Sequence, residues 1–266
     1  MLNKYFSAQL VPDMINGDVS TIIGAQTPAA TDIPFAAGDL MFDWQAIDIP
    51  KGINMLRSVS VYIMGEDGVG ASNNYDLHLM FARSIDGVAP GTPGVVNAAQ
   101  TACFELPKHY VGNVKLEGDI DSGSLPLAFH SYFSDGGSTS STKAAYGVPK
   151  VIGPLEENSG VNVGYDKLYV AGFAGGAFDF STGVKPDAQA TTSTDTISVD
   201  GVDPRKCFQI GDTVYIHDVD TAIGTVKSMT ATNITLNAAI AGGTDIADED
   251  EFVNANPIRI KLGFSL

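Results

Sequence analysis

Short β-branched and aromatic runs, separated by turn residues, constrain this chain more than any other feature of its sequence. Three such runs lie within residues 209–253, at 213–217, 223–226 and 233–237. Gly211 and Asp212 precede the first run, and an acidic turn at 245–251 follows the last. Short strands with turn residues at regular intervals are typical of a small antiparallel barrel or sandwich.

The same pattern of short apolar runs recurs in the first half of the chain and at its end. Further apolar or alternating runs occupy residues 40–49, 57–64, 75–81, 110–116, 125–133, 168–173 and 258–264. Alternation with a period of two places every second side chain on one face of a strand, so most of these runs predict a strand with one buried face. Residues 57–64 and 75–81 are predicted to pair as a β-hairpin. The predicted fold class is all-β, with a jelly-roll-like antiparallel β-sandwich.

Breaks in composition divide the chain into three parts. Residues 1–35 contain Pro12, Gly17 and other breakers, so we predict no sustained strand there but an extended N-terminal arm. Residues 183–194 read as a linker because of Pro186 and a threonine-rich tract. The alternating run near the C-terminus is expected to return to the first sandwich. We therefore predict a sandwich over 36–184 plus 257–266 and an inserted small β-module over 185–256.

The charge balance restricts the partners that the chain can bind directly. Lys and Arg total 15 against 31 Asp and Glu among 266 residues, which gives a formal net charge of −16. Affinity for phosphates depends on Lys and Arg, so nucleic acid is not expected as a ligand, and an anionic membrane is disfavoured for the same reason. Residues 1–12 do not resemble a secretory signal, and no apolar run is long enough to cross a bilayer. Synthesis and folding in cytoplasm are expected.

No catalytic constellation stands out, and we predict that the chain is not an enzyme and holds no cofactor. Asp121-Ser122-Gly123 matches an aspartic-protease triplet, but such enzymes need two aspartates that share a proton, and no second copy occurs. His217 has nearby carboxylates without any G-x-S-x-G nucleophile. The cysteines Cys103 and Cys207 belong to no C-x-x-C pair.

Two acidic clusters are candidates for a structural Ca²⁺. Asp119 and Asp121 have the alternating oxygen spacing of a calcium loop, and Asp245, Asp248 and Asp250 form the second cluster. The first cluster lacks the later bidentate glutamate of an EF-hand. A solvated acidic turn is the favoured interpretation of both, and no metal site is predicted.

A family resemblance is carried by the inserted module. A Gly-Asp-x-Val run at 211–214 is followed by Gly-x-Val at 224–226 and Ile-Thr-Leu at 234–236. This order resembles small β-modules of tailed-bacteriophage virion proteins. With the predicted sandwich, the N-terminal arm and the acidic charge, the chain is most similar to capsid decoration, or cement, proteins.

The resemblance implies a β-rich protein, often trimeric, that clamps neighbouring subunits of the capsid shell. Its implied partners are the major capsid protein and further copies of itself as a homotrimer, and its implied location is the virion, assembled in the host cytoplasm. The apolar residues of the arm are the candidate partner-binding residues, namely Tyr5, Phe6, Val11, Ile22 and Ile23. The alternatives are a tail, baseplate or head-fibre component and a carbohydrate-binding β-module. In the last of these, sugars would stack on aromatic residues that flank polar loops, namely Tyr132, Phe133, Tyr146 and Tyr165.

Overall fold

The computed structural model of this chain is almost entirely antiparallel β-structure, which confirms the predicted fold class. It describes residues 5–12, 14, 35–50, 54–64, 76–85, 87–99, 106–116, 128–133, 150–152, 167–178, 180, 182–188, 193–216, 221–242, 246–248 and 250–265. The strands are β1 (Tyr5–Leu10), β2 (Leu40–Asp48), β3 (Asn54–Ile63), β4 (Leu77–Ala82), β5 (Tyr110–Leu116), β6 (Ala128–Phe133), β7 (Lys150–Ile152), β8 (Lys167–Ala174), β9 (Val184–Pro186), β10 (Thr196–Gly201), β11 (Thr213–Ile216), β12 (Thr221–Met229), β13 (Asn233–Leu236), β14 (Phe252–Asn254) and β15 (Ile258–Ser265). A helical turn, α1 (Leu106–His109), precedes β5, and a 3-10 turn (Pro204–Lys206) lies between β10 and β11.

Nine of the described strands form a sandwich of two antiparallel sheets. One sheet has the order β1-β15-β3-β6, with the short β7 also paired to β3, and the other has the order β2-β8-β4-β5. Strand β1 lies near β2, and β5 lies near β6, so the two sheets pack face to face. If β7 is set aside, the first, eighth, third and sixth sandwich strands along the chain form one sheet and the second, seventh, fourth and fifth form the other. This is the strand order of a jelly roll.

The sandwich core is built from alternate side chains of the facing strands. Val59 and Val61 of β3 and Leu79 and Phe81 of β4 are all fully buried in this core. Their burial follows from the period of two that the sequence shows in both strands.

Strands β3 and β4 do not form the predicted hairpin. Strand β3 pairs with β15, β6 and β7, whereas β4 pairs with β5 and β8 in the opposite sheet. Two strands that face each other across a core show the same alternation as two hydrogen-bonded neighbours. Both strands were therefore predictable, and their predicted pairing is wrong.

The remaining six strands form a nearly closed barrel with its own core. Their order is β14-β11-β12-β13-β10-β9, and the outer strands β14 and β9 approach each other. Strands β11, β12 and β13 coincide with the β-branched runs that the sequence marks most clearly. The barrel core includes Phe208, Val214, Val226, Ile234 and Phe252, each with almost no exposed surface.

The barrel strands lie between β8 and β15 in the chain, and β15 returns to the sandwich between β1 and β3. Residues 183–194 are not simply a linker, because β9 within them pairs antiparallel with β10. Three residues beside breakers give too short a signal to be recognised as a strand. The exact limits of the sandwich and of the inserted module stay a prediction.

The first 35 residues also contain a strand that the sequence did not indicate. Tyr5–Leu10 is β1, and it pairs along its whole length with β15. The inward residues Phe6, Ala8 and Leu10 do alternate, but Ala8 is small and Pro12 follows closely, so the pattern is weak. The expectation of no sustained strand in this segment is wrong for β1.

Candidate interaction surfaces

Strand β1 forms one edge of the sandwich and is held there by both of its faces. On the inner face, the Phe6 ring stacks on the ring of Phe264 with centroids 4.9 Å apart and an interplanar angle of 11°. On the outer face, Tyr5 reaches across β15 and its hydroxyl lies 3.2 Å from Ser58 Oγ of β3. A Cβ at Gly263 would overlap the Tyr5 phenol, so glycine at this position lets the ring lie across the sheet.

The outer edge of β1, along which no described strand pairs, lacks the protective features of edge strands β2 and β5. The pairing of β1 with β15 is regular over six residues, and none of the six is charged. By contrast, the pairing of edge strand β2 is interrupted twice and that of β5 once. Strand β2 also contains Asp43 and Asp48, and β5 contains Lys115. Strand β6, at the opposite edge of the same sheet, is likewise paired regularly over six residues and has no Asp, Glu, Lys or Arg. Natural edges are usually guarded by bulges, charges or proline, so β1 and β6 are the described sandwich edges suited to accept another strand, and β1 also presents the exposed Tyr5.

The five predicted partner-binding residues fall into different environments. Tyr5 is 63% exposed, whereas Phe6 packs against the sandwich core and Val11 is partly buried. Ile22 and Ile23 lie outside the described residues. Among the three that are described, Tyr5 is therefore the side chain most available to a partner, and the role of all five stays a prediction.

A second surface is the outer face of the β2-β8-β4-β5 sheet. Residues 87–99 cover part of it, because Val96 packs against the cluster of Leu40, Ala171 and Phe173, and the Trp44 Nε1–H donates to the Gly91 carbonyl at 2.9 Å. Beside them, the described residues form an open groove of about 760 Å³. We call it the outer-face groove, and its lining residues are Ala37, Gly38, His78, Leu79, Met80, Pro107, Tyr110, Asn113, Phe173, Ala174 and Gly175.

The polar groups of the outer-face groove are neutral. The Tyr110 hydroxyl donates to Asn113 Oδ1 at 2.6 Å, and burial raises the pKa of this phenol. Burial lowers the pKa of His78, as does the nearby Lys115, while Asp76 opposes the shift. Lys115 Nζ and Asp76 Oδ2 are 2.6 Å apart and largely compensate each other. The His78 ring is consequently uncharged at neutral pH, when it offers one donor and one acceptor.

A buried polar cluster joins the barrel to the sandwich. Asp212, which precedes β11, forms a salt bridge with Arg259 of β15. Its Oδ2 also accepts from the Gln209 backbone N–H at 2.7 Å and from Asn254 Nδ2 at 2.8 Å. Burial raises the pKa of Asp212, and the surrounding donors oppose that rise. We call Asp212, Arg259, Asn254 and Gln209 the junction cluster.

The described part of the chain brings no set of candidate metal ligands together. Within it, no three His, Cys, Asp or Glu side chains are placed to share a metal ion. Asp248 is exposed, and Asp250 Oδ2 accepts from the Ala247 backbone N–H at 2.6 Å, as expected for an acidic turn. The other three candidate Ca²⁺ ligands and the catalytic candidates lie outside the described residues, namely Asp119, Asp121, Asp245, Ser122, Gly123 and His217.

The structure describes none of the four aromatic side chains named for the carbohydrate-binding alternative. Tyr146 and Tyr165 lie outside the described residues, and for Tyr132 and Phe133 only the backbone within β6 is described.

Within the described part of the chain, no helix has the length and apolar character needed to cross a membrane.

The outer-face groove is a site that the sequence did not reveal. Alternation in β4 did place His78 and Met80 on the face opposite the core. Nothing in the sequence showed that β4 would lie between β5 and β8, and that pairing brings Tyr110, Asn113 and Phe173 beside them. No protein-family model, curated protein or solved structure matches the chain.

Proposed function

We propose that this chain is a structural protein of a tailed-phage virion that binds and stabilises the outer surface of the capsid. In this proposal it acts as a decoration protein, associates as a homotrimer, and contacts the major capsid protein through protein surfaces, without catalysis. Jelly rolls form viral capsid and lectin domains, among others. Because one fold hosts many functions, that likeness supports the proposal only at the level of architecture.

The observation that carries the proposal is the unguarded edge of β1. Its outward backbone groups and the exposed Tyr5 ring offer an extended segment of a capsid subunit both hydrogen bonds and apolar contact. The net charge of −16 would favour a shell surface of opposite sign and keep the free protein soluble. Several such contacts within one oligomer would raise the effective affinity without any single strong contact.

Proline substitutions at adjacent positions of β1 test this role. Successive residues of an edge strand direct their N–H groups to opposite sides, so one of Ser7 and Ala8 donates towards β15 and the other towards the free edge. Ser7→Pro and Ala8→Pro therefore form a matched pair. The variant that keeps the wild-type melting temperature is the one that alters only the free edge.

The assay is co-sedimentation with expanded empty capsids of the phage that encodes the chain. We expect the wild-type protein to sediment with the capsids and the stable proline variant to remain in the supernatant. Sedimentation of that variant at wild-type level would exclude the β1 edge as the contact. Failure of the wild-type protein to sediment would refute the decoration function itself and would favour the tail, baseplate or head-fibre alternative.

A further inference from the structure

We propose that the outer-face groove is a binding site for a neutral oligosaccharide. The groove of about 760 Å³ lies within the range of roughly 300–1,000 Å³ that is usual for ligand sites. Its floor is apolar, since Met80 and Phe173 project from neighbouring strands, and Pro107 and Tyr110 line one side. This inference goes beyond the capsid-binding role and does not depend on it.

The absence of charge from the lining restricts the ligand. None of the residues that line the described groove is an acid, a lysine or an arginine. Lys115 and Asp76 lie beside His78 but form an ion pair with each other. A strongly charged ligand would lose hydration on entering the groove without gaining a partner of opposite charge.

Hydrogen-bonding groups with remaining capacity point to a polar ligand. Tyr110 and Asn113 both line the groove, and the Tyr110 hydroxyl donates its hydrogen to Asn113 Oδ1. The hydroxyl lone pairs and the Asn113 amide hydrogens therefore have capacity for a ligand. His78 adds one ring donor and one ring acceptor. A wholly apolar ligand would desolvate these groups without replacing their hydrogen bonds to water, at a cost for each group.

A sugar ring has the combination of surfaces that these groups require. Its hydroxyls donate and accept at the edges, while its C–H face packs on the negative face of an aromatic ring. Tyr110 is 42% exposed and is thus available for such stacking, and Asn113 lies beside it. Several sugar units in sequence would extend from Tyr110 over Met80 towards Phe173.

The test is a glycan array followed by calorimetric titration with the tightest-binding neutral trisaccharide of the array. We expect at least one neutral glycan to bind. Tyr110→Ala should weaken that binding about tenfold, equivalent to about 1.4 kcal/mol, and Asn113→Ala should also weaken it. Tyr110→Phe should retain most of the affinity because it keeps the ring.

Ile210→Ser serves as the matched control, because Ile210 is 72% exposed and belongs to the barrel side of the protein. Its affinity should equal that of the wild-type protein, and thermal melts should show that all variants fold. The proposal is overturned if no neutral glycan binds, if the Tyr110→Ala variant binds as the wild type does, or if anionic glycans bind most tightly. Capsid co-sedimentation is a separate readout, so either proposal can fail without the other.

Discussion

Removal of the arginine from the junction cluster should destabilise the protein in a pH-dependent way. The Asp212 side chain is 2% exposed and that of Arg259 is 18% exposed, so Arg259→Met leaves a buried carboxylate without its cation. Breaking a buried ion pair from one side costs about 3–5 kcal/mol. Because Asp212 keeps the donors of Gln209 and Asn254, we expect the lower limit, about 3 kcal/mol at pH 7.

The sign of the pH dependence follows from the pKa of Asp212. Burial already raises this pKa in the wild type, and the Arg259 guanidinium is one of the groups that oppose the rise. The variant should therefore hold Asp212 at a still higher pKa. The cost of Arg259→Met should be small at acidic pH, where both proteins have a protonated Asp212, and should grow to its full value as pH rises through the raised pKa.

Urea unfolding at several pH values between 4 and 8 measures this cost. Fluorescence of Trp44, the single tryptophan of the chain, follows the sandwich, and circular dichroism follows all strands. Burial raises the pKa of Tyr62, and Gln209 and Arg259 oppose that rise, so alkaline conditions are avoided. Chains of this size lose about 2–4 °C in Tm for each kcal/mol of stability, so the loss of about 3 kcal/mol should lower the Tm by roughly 6–12 °C.

The double variant Arg259→Met with Asp212→Asn is the control. It removes both charges, while the amide oxygen that replaces the carboxylate at position 212 still accepts from Gln209. The double variant should therefore regain at least about 1 kcal/mol relative to Arg259→Met alone. If Arg259→Met costs less than about 1 kcal/mol, or if its cost is the same at pH 4 and pH 8, the junction cluster does not join barrel and sandwich in the way described.

Three further predictions concern β1 and the outer-face groove. Gly263→Val should displace the Tyr5 ring and cost about 1–3 kcal/mol, measured by urea unfolding; unchanged stability would contradict the close approach. Phe6→Ala removes the stacked ring, and its loss of stability should be below the about 3–5 kcal/mol measured for a fully buried phenylalanine. Amide exchange in β1 should become faster, and an unchanged exchange rate would show that the ring does not hold the strand. Lys115→Met should raise the pKa of His78, because it removes a cation that lowers it, and an NMR titration midpoint that falls or stays constant would refute this.

The sequence predicted the strands much better than their partners. Alternation in β3, β4 and β5 specifies which side chains are buried, and these strands occur close to the predicted positions. Pairing depends on contacts between distant segments, such as Phe6 with Phe264, and no local pattern encodes them. For the same reason β1 was read as part of an irregular arm, and the predicted β3–β4 hairpin is wrong.

The candidate surfaces were less predictable than the fold. Tyr5 could be named because an apolar residue in a breaker-rich terminus is conspicuous. The groove combines residues of β4, β5 and β8, which are distant in sequence, so it becomes visible only when the sheet order is known. The junction cluster depends in the same way on Asp212 and Arg259, which lie 47 positions apart.

Amide hydrogen exchange of β1, with and without capsids, tests the central claim that its free edge accepts a strand from the shell. Half of the β1 amides face β15 and should be protected in both states, whereas the outward-facing amides should exchange quickly in the free protein and slowly on the capsid. Fast exchange of the outward-facing amides in capsid-bound protein would contradict the account.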